Sequence, residues 1–96
     1  MEFLIIAVSS TIQTDVLALF KKHNIKNYTL FTQVMGSGEG GGKRMNTEVW
    51  PGENTVFMVA CDPEKADIIR KWGKHYREES IREGLQVFTL QLQSML

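Results

Sequence analysis

Two short, continuous apolar runs constrain the fold of this chain more than any other feature. They lie at residues 2–8, which include Phe-Leu-Ile-Ile-Ala-Val, and at residues 55–61. Their length and their content of Ile, Val and Phe favour strands over helices. A continuous apolar run, unlike an alternating one, presents apolar side chains to both faces of a sheet. We therefore predict two central strands, and the fold must cover or pair both of their faces.

A helix and a strand are predicted between these two runs. Ser10 followed by Gln13 fits a capping box, and apolar residues at helical spacing continue as far as Asn24. Residues 27–35 then alternate from side to side and stop at the glycines that follow. We predict the first helix at 10–24 and the second strand at 27–35.

A second helix and a last strand follow the second apolar run. Asp62 can cap the first amides, Pro63 suits the first helical position, and Glu64 suits the positive end of the helix. This helix is predicted to run to about Glu79. Residues 80–84 form a polar connection, and residues 85–92 alternate as a strand.

The predicted order is βαββαβ. With right-handed crossovers, it gives a ferredoxin-like α+β fold, in which a four-stranded antiparallel sheet carries both helices on one face. The 96 residues form a single domain in this interpretation. Two helices cover only one sheet face, and the other face would stay apolar. We therefore expect a closed homo-oligomer, a trimer or a dimer.

Composition excludes some classes of partner. The chain has 11 basic and 11 acidic residues, so no net basic field is available to hold nucleic acid. The apolar opening is far too short to span a bilayer and lacks the flanks of a signal peptide. The single cysteine, Cys61, agrees with a reducing compartment. These observations predict a cytoplasmic protein with no direct membrane insertion.

A long glycine-rich connection, residues 36–54, joins the second and third predicted strands. It contains Gly36 and Gly38, three consecutive glycines at 40–42, and then Lys43 and Arg44. Clustered glycines let backbone amides approach an anion, and the two cations add charge and donors. A connection this long either binds a ligand or partner or is simply disordered. We predict a loop that is weakly ordered without its ligand.

Two nucleotide-binding motifs fail in this loop. Residues 36–41 match G-x-G-x-x-G, but a polar stretch follows where a dinucleotide fold needs a helix. A Walker A loop also fails, because Lys43 is followed by Arg44 and not by Ser or Thr.

The two ends of this loop resemble a known family. The run Val34-Met35-Gly36-Ser37-Gly38, followed by Trp50-Pro51-Gly52-Glu53-Asn54, is similar to the nitrogen regulatory PII-like signalling superfamily, and most similar to its small divergent branches. The resemblance covers nearly the whole chain. It implies a trimer, an adenine nucleotide or related anionic effector between subunits, and a mobile loop, called the T-loop in that family, that engages a transporter or enzyme.

The resemblance also assigns residues to the site. Gly36 and Gly38, with Ser37 between them, match the base of the long loop, and Gly84 matches the glycine that opens the last strand beside the phosphates. The connection at 80–84 has fewer glycines and lysines than in well-studied members, and the loop lacks the tyrosine that is modified in some of them. Arg82 is the replacement donor there, joined by Lys43 and Arg44.

We therefore predict a non-enzymatic regulator without a required cofactor. Trp50, in a polar loop, is either a lid residue or an anchor for a partner protein. Cys61 is predicted to be a buried thiol, and His23 and His75 are predicted to be structural, since no closely spaced ligand pair occurs in the sequence. The alternatives are a small ferredoxin-like enzyme with a site in the sheet cleft, or a metal-responsive module.

Overall fold

The computed structural model describes residues 1–36, 54–79 and 84–96. They form one antiparallel sheet in the order β2-β3-β1-β4, with two helices on one face. The predicted ferredoxin-like arrangement is confirmed, and the two apolar strands occupy the centre. The elements are β1 (Glu2–Ser9), a 3-10 helix (Ser10–Ile12), α1 (Gln13–Lys22), β2 (Tyr28–Val34), β3 (Asn54–Cys61), α2 (Pro63–Glu79) and β4 (Leu85–Gln91).

The core lies between the helices and one face of the sheet. Alternate residues of each central strand point into it, as the twofold periodicity of a strand requires. The ring of Phe57 meets the ring of Phe20 edge-on, with centroids 5.4 Å apart. The largest fully buried side chains include Leu4, Ile6, Val8, Ile12, Val16, Phe20, Phe57, Val59 and Ile69.

The first helix begins differently from the prediction. Ser9, not Ser10, is the cap: its hydroxyl accepts the N–H of Thr11 at 3.4 Å and starts the 3-10 helix. Gln13 does not fold back to close a capping box. Instead, its Oε1 accepts a hydrogen bond from the buried hydroxyl of Thr55 at 2.9 Å. The predicted capping box is therefore wrong, because a contact with β3 satisfies this side chain better than its own helix does.

The second helix matches the prediction from end to end. Asp62 Oδ1 accepts the N–H of Lys65 at 2.9 Å, as a capping carboxylate should. Gly73 is buried against β4, where an added Cβ would lie 3.3 Å from Val87 Cγ2 and 3.4 Å from Leu85 Cδ2. The absence of a side chain at Gly73 therefore lets α2 pack closely on the last strand.

The second strand departs from the predicted simple alternation near its end. Phe31 pairs with Val56, but Val34 pairs with Asn54, so β2 has one extra residue in this interval. Gln33 adopts a left-handed backbone conformation there, with φ of 58°. These features define a β-bulge. Apart from Gly36 and Asn54, the predicted flexible loop at 36–54 lies outside the described residues.

Candidate functional site

Four residues form a continuous row at the end of the sheet where β1 finishes. A Cβ at Gly36 would lie 3.5 Å from Asn54 Nδ2, and Asn54 pairs with Ser9 across the central ladder. The N–H of Ser9 donates to the carbonyl of Gly84 at 2.9 Å. We call Gly36, Asn54, Ser9 and Gly84 the end row. Gly36 and Gly84, the two described glycines that the family resemblance assigned to one site, stand at the two ends of this row, three strand spacings or about 14 Å apart.

The members of the end row are glycines and neutral polar residues. Ser9 is buried, and its Oγ lies 3.0 Å from Thr11 Oγ1. The 3-10 helix and α1 begin directly after Ser9, so the amides at the start of this helical segment lie at the same end of the sheet. Such amides carry partial positive charge and suit an anion. The end row itself supplies dipoles and no formal charge.

The other predicted site residues are not part of the described structure. Ser37, Gly38, Lys43, Arg44 and Trp50 fall in the range 37–53, and Arg82 falls in the range 80–83. Gly36 and Asn54 bound the first range, and Gly84 directly follows the second. Both ranges therefore connect to the end row through the chain itself.

Ser9 and Asn54 were not predicted to be members of this row. Their position in the sequence could have indicated them, because each is a polar residue that directly adjoins an apolar run. Pairing the two central strands antiparallel with Ser9 opposite Asn54 places both at one edge. That register becomes evident only when the strands are paired.

The sheet face opposite the helices is apolar, as predicted. One row across it runs Thr29, Met58, Ile5 and Phe88, each paired with the next. The side chains at its two edges are the most open, since Phe31 in β2 is 46% exposed and Phe88 in β4 is 48% exposed. We call this surface the open face; its other apolar members are Phe3, Ala7, Val56, Ala60 and Leu90.

Cys61 lies at the opposite end of the sheet from the end row. Its side chain is buried, which confirms the predicted buried thiol. Burial raises the pKa of the Cys61 thiol, and the carboxylates of Asp62 and Glu2 raise it further. A protonated, enclosed thiol is a poor nucleophile and a poor metal ligand.

Cys61 should therefore react slowly in the folded protein. Because folding raises the pKa of this acid, the folded state binds more protons than the unfolded state above the unfolded pKa, about 8.5. The Cys61 contribution to stability is then complete at neutral pH and declines as pH rises through that value. We expect reaction with a thiol-specific disulfide reagent at pH 8 to be at least about tenfold slower in buffer than in denaturant. Equal rates would contradict the burial of Cys61.

Arg70 links helix α2 to two strands. It donates to Glu2 Oε1 at 2.8 Å, to Asp67 Oδ1 at 2.6 Å and to Thr89 Oγ1 at 3.1 Å. The hydrogen bonds to Glu2 and Asp67 raise the pKa of Arg70. Arg70 therefore crosses from α2 to β1 and β4 and does not simply extend into solvent.

The histidines have local roles in the described structure. His23 ends α1, where its backbone N–H donates to Leu19 at 3.1 Å, and exposed His75 lies 3.3 Å from the Glu79 carboxylate one turn away. Within residues 1–36, 54–79 and 84–96, no three His, Cys, Asp or Glu side chains are grouped to hold a metal ion. The helices in these ranges are all too short or too polar to cross a membrane.

Solved structures resemble this chain over almost its whole length. CPII from Thiomonas intermedia K12, bound to ADP and bicarbonate, superposes with a TM-score of 0.67 at 15% identity, covering 97% of this chain and 88% of CPII. The chain has the PII-like fold. A PII-like signalling protein from Thermus thermophilus gives a TM-score of 0.59 at 19% identity, covering 93% of this chain and 83% of the other.

The apo form of CPII agrees with this assignment. It superposes on the chain with a TM-score of 0.61 at 14% identity, covering 95% of this chain and 89% of CPII. No protein-family model and no curated protein sequence matches the chain. The PII-like resemblance seen in the sequence is thus confirmed at the level of the fold.

Proposed function

We propose that this chain is a non-enzymatic PII-like regulator that binds a small anionic effector between the subunits of a homo-oligomer. The end row is the observation that carries the proposal. It joins the base of the long loop at Gly36 to Gly84, the start of the last strand. An effector held there would contact both connections at once, so its binding would be transmitted to the long loop.

The chemistry of the site suits a phosphate or carboxylate group. The backbone amides of Gly36, Ser37, Gly38 and Gly84 are the proposed neutral donors. The end row has no formal charge of its own, so Lys43, Arg44 and Arg82 are proposed to supply it. CPII structures contain ADP and bicarbonate, or ADP, AMP and bicarbonate, which supports an adenine nucleotide as the first candidate.

The open face is the proposed subunit interface. A trimer is favoured over a dimer because of the PII-like fold, and packing of open faces would set the end row of one subunit beside its neighbour. The partner protein is proposed to bind the loop at 36–54, with Trp50 as an aromatic anchor. A membrane transporter or an enzyme is the kind of partner that the fold suggests.

Replacing Arg82 with alanine should weaken effector binding. A charge-assisted hydrogen bond contributes about 1.5–3 kcal/mol, so Arg82→Ala should raise the dissociation constant roughly ten- to a hundredfold. The measurement is calorimetric titration of the parent chain with ADP, AMP and bicarbonate separately, followed by titration of the variant with whichever ligand binds.

Lys71→Ala is the matched control, since Lys71 is an exposed cation of α2 and not a member of the end row. It should leave the affinity unchanged, and both variants should keep the mass and melting temperature of the parent. If Arg82→Ala binds as tightly as the parent, Arg82 does not belong to the site. If none of the three ligands binds the parent, the adenine nucleotide proposal is wrong.

A further inference from the structure

Among the residues that the structure describes, β4 is an edge strand of the sheet, and half of its backbone groups face away from β1. Hydrogen-bonded and non-hydrogen-bonded residue pairs alternate along an antiparallel ladder. The N–H of Ser9 donates to the Gly84 carbonyl, so Ser9 and Gly84 are a hydrogen-bonded pair. Gly84, Gln86 and every second residue after them therefore bond to β1. Leu85, Val87 and Thr89 direct their N–H and C=O groups away from the sheet.

This edge lacks the usual protection against a further strand. Proteins guard exposed edges with charges, prolines, bulges or a covering element. From Gly84 to Leu96 the sequence has no charged residue and no proline, and the pairing of β4 with β1 is regular throughout. The opposite edge, β2, is interrupted by its bulge at Gln33. Of the two edges, β4 is therefore the better template.

A cationic groove of about 360 Å³ runs along this edge on the helix side. Gly73, Leu85 and Val87 form its apolar part, and Arg70, Lys74, Arg77 and Glu78 complete its lining. Arg70 is already bound to Glu2 and Asp67. Lys74 and Arg77 have no ion-pair partner among the described residues. The groove thus offers two cations outside any ion pair, with the carboxylate of Glu78 in the same lining, beside the β4 edge.

We propose that the groove between α2 and β4 binds an extended acidic peptide segment as an additional strand. Residues of that segment opposite Leu85, Val87 and Thr89 would point their side chains towards α2. The intervening residues would lie on the other side, beside Phe88 and Leu90. The bound peptide should therefore have alternating side chains, with acidic ones facing α2 and apolar ones facing the open-face side of the sheet.

The cations of α2 are more closely spaced along the helix axis than alternate residues of a strand, and their long side chains must spread to meet successive acidic residues. Alternate residues of a strand are about 6.6–6.8 Å apart. Along the axis of α2, Arg70 and Lys74 are about 6 Å apart, and Lys74 and Arg77 are about 4.5 Å apart. Main-chain bonds along the edge supply the affinity, and the cations select the sequence. The site uses no residue of the end row, so it does not depend on the proposed effector. Its apolar side lies beside Phe88 and Leu90, so this margin of the open face must stay accessible in the oligomer.

The test is titration of the full chain with a capped peptide, Glu-Val-Glu-Val-Glu-Val, followed by backbone NMR. We expect the largest shifts at the amides of Leu85, Val87 and Thr89. A Lys-Val-Lys-Val-Lys-Val peptide should bind at least about tenfold more weakly, because its charges repel Lys74 and Arg77. Equal binding of the two peptides would overturn the acidic specificity.

Three substitutions test the groove directly. Replacing both cations, with Lys74→Gln and Arg77→Gln, should weaken the acidic peptide at least about tenfold. Glu78→Gln should tighten binding about two- to threefold, because it removes a carboxylate that repels the peptide. Lys71→Gln, on the same helix but outside the groove lining, is the control and should bind like the parent. Unchanged binding in the double variant would place the peptide elsewhere.

N-methylated peptides test the strand edge without altering the protein. Methylation of the alternate amides that face β4 should abolish binding, and methylation of the other set should leave it intact. In the peptide-free chain, the amides of Val87 and Thr89 should exchange hydrogen much faster than those of Gln86 and Phe88. If both methylated sets bind equally, or if Val87 and Thr89 are protected because a second copy covers the edge, the proposal is overturned.

Discussion

Met58→Glu should convert the proposed homo-oligomer into a folded monomer. Met58 lies in the middle of the open face, between Thr29 and Ile5 in the row that crosses the sheet. Packing this face against another subunit would bury a carboxylate among apolar side chains, which costs several kcal/mol when no cation pairs with it. The subunit itself should fold normally, because this side chain does not enter the core beneath the helices. Light scattering at micromolar concentration measures the mass.

Two matched variants isolate the cause. Met58→Leu keeps the surface apolar and should preserve the oligomer. Lys71→Glu places the same charge on the exposed side of α2 and should preserve it as well. If Met58→Glu keeps the parental mass, the subunits associate through some other surface. A parent chain that is monomeric at micromolar concentration would contradict the interface altogether.

Phe57→Ala should lower the free energy of unfolding by about 3–5 kcal/mol. Phe57 is fully buried in a central strand, and its ring lies 5.4 Å from that of Phe20 and 6.1 Å from that of Tyr28. Truncation removes apolar burial and both aromatic contacts, and it leaves a cavity that the sheet cannot easily close. Urea unfolding, followed by circular dichroism at a fixed protein concentration, measures the change.

Phe57→Leu is the control for this loss. Leucine fills much of the same space, so this variant should lose no more than about half as much stability as Phe57→Ala. A loss below about 1 kcal/mol for Phe57→Ala would mean that the ring is not a central part of the core.

The elements of the fold were predictable because their signals are local. Residues 62–64 carry a cap, a proline and an acidic first turn within three positions, and α2 begins there as Pro63–Glu79. The two apolar runs define central strands by their composition alone, and the apolar side chains that they supply to both faces also indicated an uncovered sheet surface. Such inferences require no knowledge of the tertiary contacts between residues.

The features that were missed all depend on residues far apart in the chain. Gln13 accepts a bond from Thr55, 42 positions away, and this contact replaced the predicted capping box. The bulge at Gln33 is defined by the register of β2 against β3. Arg70 reaches Glu2 across 68 positions. None of these has a local signal, because each partner is set by the pairing of strands or by the packing of a helix on the sheet.

The candidate site divides in the same way. By itself, the sequence determined the order βαββαβ, the apolar character of both faces of the central strands, and the glycine and cation content of the two connections. The tertiary structure decided that Gly36, Asn54, Ser9 and Gly84 share one end of the sheet, and that Lys74 and Arg77 line a groove beside the β4 edge. The physical reason is register: side-chain chemistry sets which surfaces are buried, whereas backbone pairing between distant segments sets which residues become neighbours.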